Sequence, residues 1–342
     1  MHALIINESK KGIYQKIKSQ NYFSDDNSAK ISIKAAGLCG SDIQKLFNNN
    51  FFFKKDQIIG HEFTGVIERV PKNEMNLKKG TKVVGIPLIP CGKCIYCLKK
   101  LYQFCTKLQS IGKELPGAFA DKINIPIYNI RILPDYIDYF LGTLTDVIAV
   151  AIHTYHIADS PKNKNILIIG DGSLALCCLK IFQKENNVSI LGKYKYNLDI
   201  ALEFGSNKIY NLKQIKQLPT NNYDIIIECV GREQDITIRK CVELIKIRGK
   251  IIVTGVFPLE YYGNIHFREL FYKESILMGV NSYSYFGLIN EFDLALKELL
   301  RFSNEYKKII THIYPLSSFN KAVEELKNKE INKIIKIVFY PE

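Results

Sequence analysis

Over the first 150 residues, apolar positions come in short runs broken by turn residues. After about residue 160 they gather into solid blocks. Residues 31–36, 63–67 and 81–86 predict short strands, with glycine and proline between them, and together suggest a small barrel or sandwich. Residues 165–169 form a fully apolar run of the kind buried on both faces of a sheet. A helical pattern follows over 173–185, then strands over 188–191, 224–229 and 250–254, with a second helical pattern over 235–247. Strands alternating with helices imply right-handed βαβ units and a parallel sheet. The last sixty residues mix both signals, and no internal repeat is present. The reading is α/β with two domains, in keeping with a length of 342 residues, which suits two domains of roughly 150 residues each.

Composition changes this picture little. Apolar residues make up 47% of the chain, enough for two cores. No run of about 18 apolar residues marks a membrane span, and polar residues interrupt the N-terminus too early for a secretory signal. A cytoplasmic location is expected. The net charge of +13 is spread along the whole length and interleaved with acids. With no nucleic-acid-binding pattern to support it, that charge favours anionic small molecules over nucleic acid.

The turn Gly170-Asp171-Gly172-Ser173-Leu174-Ala175 directly follows the first apolar block and opens a helix. It has the form G-x-G-x-x-A. Gly170 permits the tight turn, Gly172 lets the backbone approach a pyrophosphate, and Ala175 lets helix and strand pack closely. The N–H groups at Ser173 and Leu174 then face the phosphates at the positive end of the helix. About twenty residues on, where an NAD enzyme presents an acid to the ribose, stands Gly192, followed by Lys193 and, two residues later, Lys195. A glycine with two lysines predicts room and charge for a 2′-phosphate, so NADP(H) is preferred over NAD(H).

Nine cysteines in such a chain point to metal rather than disulfides. Cys91, Cys94, Cys97 and Cys105 form C-x2-C-x2-C-x7-C, which can wrap one structural zinc ion and leave no open position. Upstream, Gly37-Leu38-Cys39-Gly40-Ser41-Asp42 offers a thiolate, and Gly60-His61-Glu62 an imidazole and a carboxylate. Cys177, Cys178, Cys229 and Cys241 read as small apolar residues. His2, His156, His266 and His312 have no ligand spacing.

In this order, GLCGSD, GHEFTG, the four-cysteine loop and the G-x-G-x-x-A turn resemble the zinc-containing medium-chain alcohol dehydrogenases over nearly the full length. Within them, residues 35–120 look most like polyol and polyol-phosphate dehydrogenases of the galactitol-1-phosphate 5-dehydrogenase kind. Residues 190–198 and 228–231 are similar to NADPH-dependent ribulose-5-phosphate reductases. The resemblance implies a GroES-like β-rich catalytic domain (1–155 and 285–342) and a Rossmann doubly wound parallel sheet (156–284). It implies two Zn²⁺ per chain, the catalytic one held by Cys39 and His61 with Glu62 as a direct or exchangeable ligand.

A further ligand is expected from a later E-P-x-x-V-x-x-H motif. Here residues 145–153 carry Asp146 and Val147 where that motif has Glu and Pro, so Asp146, one methylene short, reaches the metal directly or through water. Ser41 matches the family's proton-relay hydroxyl, and Asp42 a supporting carboxylate. The implied activity interconverts a secondary alcohol and a ketone, with a phosphorylated polyol and ketose as the pair, in a homodimer or homotetramer. The alternatives are an unphosphorylated sugar-alcohol or secondary-alcohol dehydrogenase, and a non-catalytic NADP(H)-binding sensor.

Overall fold

The computed structural model describes residues 1–342 except 19–22, 24, 25, 49, 50, 52, 55, 232, 233 and 257–263. The chain divides into two compact units. The first comprises Met1–Asp146, Tyr283–Asn328 and Lys336–Glu342, and the second Val147–Ser282 and Lys329–Ile335.

In the first unit the predicted strands run over Ser28–Gly37, Glu62–Arg69 and Lys82–Gly85, and they pair antiparallel in that order. Ile130–Ile132 extends the sheet beyond Lys82–Gly85, and Lys122–Pro126 pairs with the first half of Ser28–Gly37. The C-terminal strand Lys336–Tyr340 closes on the other half, with Val338 opposite Gly37, and carries Ile310–Pro315 beyond it. A seven-stranded sheet results. Alternate positions of Ser28–Gly37 such as Ile31, Ile33 and Ala35 are buried, so the period-2 pattern turns one face inward. Phe119, Phe319 and Phe339 fill the core with ring centroids 5.2–6.0 Å apart, which ties the C-terminal segment to the N-terminal sheet.

The second unit is a six-stranded sheet paired in parallel throughout. Across the sheet run Lys208–Asn211, Asn187–Gly192, Asn165–Ile169, Tyr223–Glu228, Ile245–Val253 and Ile276–Gly279. That order is 3-2-1-4-5-6, the doubly wound dinucleotide-binding arrangement the alternating pattern predicts. Ile166, Leu167 and Ile168 have no exposed surface, as a central strand covered on both faces requires. Cys177, Cys178 and Cys241 are wholly buried, in keeping with their reading as apolar filler. The apolar stretch Tyr139–Ile157 is long enough to cross a membrane by composition, yet 72% of it is buried inside the fold.

Glu228 ends the fourth strand of the chain's parallel sheet with no exposed surface. Burial pushes its carboxyl up from an ordinary 4.5 to about 7, against the pull of the Thr237 hydroxyl at 2.9 Å and the Val230 N–H at 3.2 Å. The folded chain thus holds this proton more tightly than the unfolded one. Its contribution to stability is full below about 4.5 and is lost as pH rises through about 7. Glu228→Gln is expected to flatten the melting-temperature profile between pH 5 and 8 (thermal melts across that range, ~3 pH units). An unchanged slope would mean that Glu228 does not titrate there.

Candidate metal centres and dinucleotide turn

The Sγ atoms of Cys91, Cys94, Cys97 and Cys105 lie within 4.8 Å of one another. The short helix Ile95–Leu98 and the turn Tyr102–Phe104 fold the loop back so that the Cys91 N–H donates to Cys105 Sγ at 3.2 Å. Cys94 and Cys97 stand 3.5 Å apart, Cys91 and Cys97 3.9 Å. Backbone N–H groups, first that of Cys97 and then that of Thr106, draw the Cys94 thiol down to about 5. Burial pushes Cys97 up to about 12. Four sulfurs this close cannot all ionise by themselves, and a divalent cation among them removes the conflict. The donor set fits a closed zinc site.

The second cluster rests on one helix and one strand. Cys39 immediately precedes the helix Gly40–Phe47, His61 precedes the strand Glu62–Arg69, and Glu62 opens that strand. Their donor atoms also lie within 4.8 Å of one another. Asp42, 1% exposed, accepts from the Cys39 N–H at 3.4 Å and stands 3.6 Å from His61 Nδ1. It therefore orients both the thiol-bearing backbone and the imidazole. Although burial pulls the imidazole down, Asp42 and then Cys39 hold His61 well above its usual range. Oε1 of Glu62 and Oδ1 of Asp42 are buried with no hydrogen-bond partner among the described residues. Thiolate, imidazole and carboxylate with an unsatisfied oxygen fit a zinc site of three protein ligands and one open position.

Ser41 sits in the first turn of the helix Gly40–Phe47, half-buried. Asp146 stands outside the three-donor set. It takes a hydrogen bond from the Tyr283 hydroxyl at 2.5 Å, and burial raises its carboxyl to about 6.

Two partners of these carboxylates were not evident in the sequence. Lys336 Nζ is ion-paired with Glu62 Oε2, both side chains at most 2% exposed. Burial pulls its ammonium down, but Glu62 and then Cys39 hold it above the usual value. Gly37 makes room for this carboxylate, since a Cβ there would lie 2.3 Å from Glu62 Oε2. Tyr283 is the other. The one local signal for Lys336 is a charge at an inward position of the apolar strand Lys336–Tyr340.

In the second unit the G-x-G-x-x-A turn joins Asn165–Ile169 to the helix Ser173–Phe182. Gly170 adopts φ +123°, open to glycine alone among common residues. Among the described residues nothing lies within 4 Å of where a Cβ on Gly172 would stand. Gly172 is also the N-cap, and among the described residues no side chain caps the helix, so a cradle of N–H groups at Ser173 and Leu174 fits a pyrophosphate. Gly192 ends its strand, with Lys193 and Lys195 exposed beyond it. The space expected to lie open at Gly192 is occupied by Asp171, whose Cβ would be 2.6 Å from an added Cβ.

Residues 25–135 match the family model of the alcohol dehydrogenase GroES-like domain, and residues 172–301 that of the zinc-binding dehydrogenase. The chain is 27% identical over 310 residues to galactitol 1-phosphate 5-dehydrogenase of Escherichia coli K12, covering 87% of this chain and 88% of that one. It is 25% identical to L-galactonate-5-dehydrogenase of the same organism, covering 97% and 98%. In fold it matches the crystal structure of galactitol-1-phosphate dehydrogenase from Escherichia coli with a TM-score of 0.87, at 24% identity over the whole of both chains. It also matches a chain described as a zinc-binding dehydrogenase, from Sinorhizobium meliloti 1021 and bound to NADP, with a TM-score of 0.85 at 18% identity, covering 99% of each.

Proposed function

Because the chain belongs to the zinc-containing alcohol dehydrogenase family, whose two domain models between them match well over half of it, we propose that it interconverts a polyol phosphate and a ketose phosphate with NADP(H). The observation that carries the reading is the convergence of Cys39, His61 and Glu62 within 4.8 Å in a half-buried, carboxylate-braced cluster. Bound zinc would supply Lewis acidity towards an alcohol or carbonyl oxygen, and bound nicotinamide the hydride.

The chain's own residues do the rest. Cys39, His61 and Glu62 hold the catalytic ion, Asp42 fixes the imidazole, and Lys336 steadies Glu62. The Ser41 hydroxyl, half-buried and two residues after Cys39, passes the substrate hydroxyl proton outward. Asp146, held by Tyr283, serves the metal through water rather than directly. Cys91, Cys94, Cys97 and Cys105 hold a second, structural zinc ion. Gly170, Gly172, Ser173 and Leu174 receive the pyrophosphate, and Lys193 and Lys195 beyond Gly192 favour a 2′-phosphate. The name of the Sinorhizobium structure, bound to NADP, supports that cofactor. The galactitol 1-phosphate relative and the net charge of +13 support a phosphorylated substrate.

The name of the L-galactonate relative favours the second reading, an unphosphorylated polyol or sugar acid. The exposed Phe267, Phe271, Tyr272 and Ile276, next to or on the outermost strand of the parallel sheet, support a homodimer or homotetramer. The free thiols and the zinc chemistry support a cytoplasmic setting.

Oxidation of NADPH and of NADH is followed with ribulose 5-phosphate, tagatose 6-phosphate and fructose. Turnover with NADPH and a ketose phosphate is the expected result. Turnover confined to fructose moves the substrate to the unphosphorylated class, turnover confined to NADH removes the cofactor preference, and silence throughout favours the sensor.

A further inference from the structure

The dinucleotide turn carries a charge that its fingerprint does not call for. Asp171 lies between Gly170 and Gly172, 8% exposed. Its Oδ2 accepts the backbone N–H groups of Lys193 at 2.8 Å and Tyr194 at 2.7 Å. These lie at the start of the nine-residue helix Lys195–Glu203, whose N-cap is Tyr194. Asn197 Nδ2 donates to the Asp171 carbonyl at 2.9 Å and locks the same corner from the helix side. An added Cβ on Gly192 would stand 2.6 Å from Asp171 Cβ and 2.8 Å from Oδ2. The glycine at 192 is therefore required by Asp171, and the carboxylate expected at the strand end has been delivered to the same place from the turn.

We infer that Asp171 reads the 2′ position of the adenosine ribose and limits the preference for a 2′-phosphate. This rests on the reading that the turn binds a nicotinamide dinucleotide. In doubly wound sheets an acid at this corner accepts the ribose hydroxyl and repels a phosphate. Two N–H groups at this corner that could otherwise receive a phosphate, those of Lys193 and Tyr194, are already bonded to Asp171. Recognition of a 2′-phosphate then leans on the side chains of Lys193 and Lys195. Both are exposed, and Lys195 also pairs with Asp199 at 3.0 Å. The two signs of charge oppose each other at one position, and selectivity is their difference.

Asp171→Asn separates charge from bracing, because the amide oxygen can still accept both N–H groups. Asp171→Ala removes both. Each variant and the wild type are titrated with NADPH and NADH at pH 8, read by the nicotinamide's own fluorescence, since the chain has no tryptophan. Asp171→Asn is expected to raise the ratio of NADH Kd to NADPH Kd about tenfold, the order expected for removing one like charge near a protein surface. An unchanged ratio in Asp171→Asn overturns the inference, and equal weakening of both dinucleotides in Asp171→Ala alongside it reduces Asp171 to a brace. A wild type that prefers NADH, with the ratio still rising in Asp171→Asn, sustains the inference and refutes the cofactor preference instead. A wild type that binds neither dinucleotide ends both.

Discussion

Cys39→Ser is expected to lower turnover by about a thousandfold, the several kcal/mol that a catalytic metal contributes, and to cut zinc content from about two ions per chain to about one. The melting temperature should change little. The thiolate comes from the residue just ahead of the helix Gly40–Phe47, and the Asp42–His61 and Lys336–Glu62 pairs beside it do not run through Cys39. Serine is a poor ligand beside His61 and Glu62, because its hydroxyl does not ionise as a thiol does. Activity and metal analysis on one preparation check this. Full activity with both zinc ions retained would remove Cys39 from the site, and full activity with one ion fewer would show that the ion takes no part in turnover.

Lys336→Met is expected to destabilise the first unit by about 3–5 kcal/mol, the cost of leaving one partner of a buried pair without the other. Lys336 and Glu62 are 2% and 1% exposed, so water cannot take the lysine's place beside the carboxylate. The double variant Lys336→Met with Glu62→Gln should recover much of that loss, since it removes the stranded charge as well. Denaturant melts of the single and double variants form the test. A single-variant loss under about 1 kcal/mol would show that the pair behaves like an exposed one.

What the sequence made legible follows the range of the interactions involved. The four-cysteine loop spans fifteen positions from Cys91 to Cys105, and G-x-G-x-x-A only six, so spacing alone reveals what each can hold. The strands 31–36, 63–67 and 165–169 announce themselves because burial on one face or both leaves a local pattern. The helix Thr145–Ile157 leaves none, being apolar nearly all round.

The carboxylates' partners come from far along the chain. Tyr283 is 137 residues from Asp146, and Lys336 reaches Glu62 because the C-terminal strand returns to pair with Ser28–Gly37. No periodicity encodes such a meeting. Asp171 was in view in the sequence, yet the significance of a carboxylate between two glycines depends on the corner at Lys193 and Tyr194, 22 and 23 residues away. The glycine at 192 had two physical explanations, room for a phosphate and crowding by a neighbour. The fold shows the neighbour.

If zinc held by Cys39, His61 and Glu62 makes this chain an oxidoreductase, turnover follows that ion. Zinc content and dinucleotide-coupled turnover are measured on the same preparation before chelation, after it, and after zinc is restored. About two ions per chain are predicted, one from each cluster, with turnover lost as the ion of the three-ligand site leaves and regained when zinc returns. Turnover that persists undiminished after both ions are gone would show that zinc takes no part in the reaction.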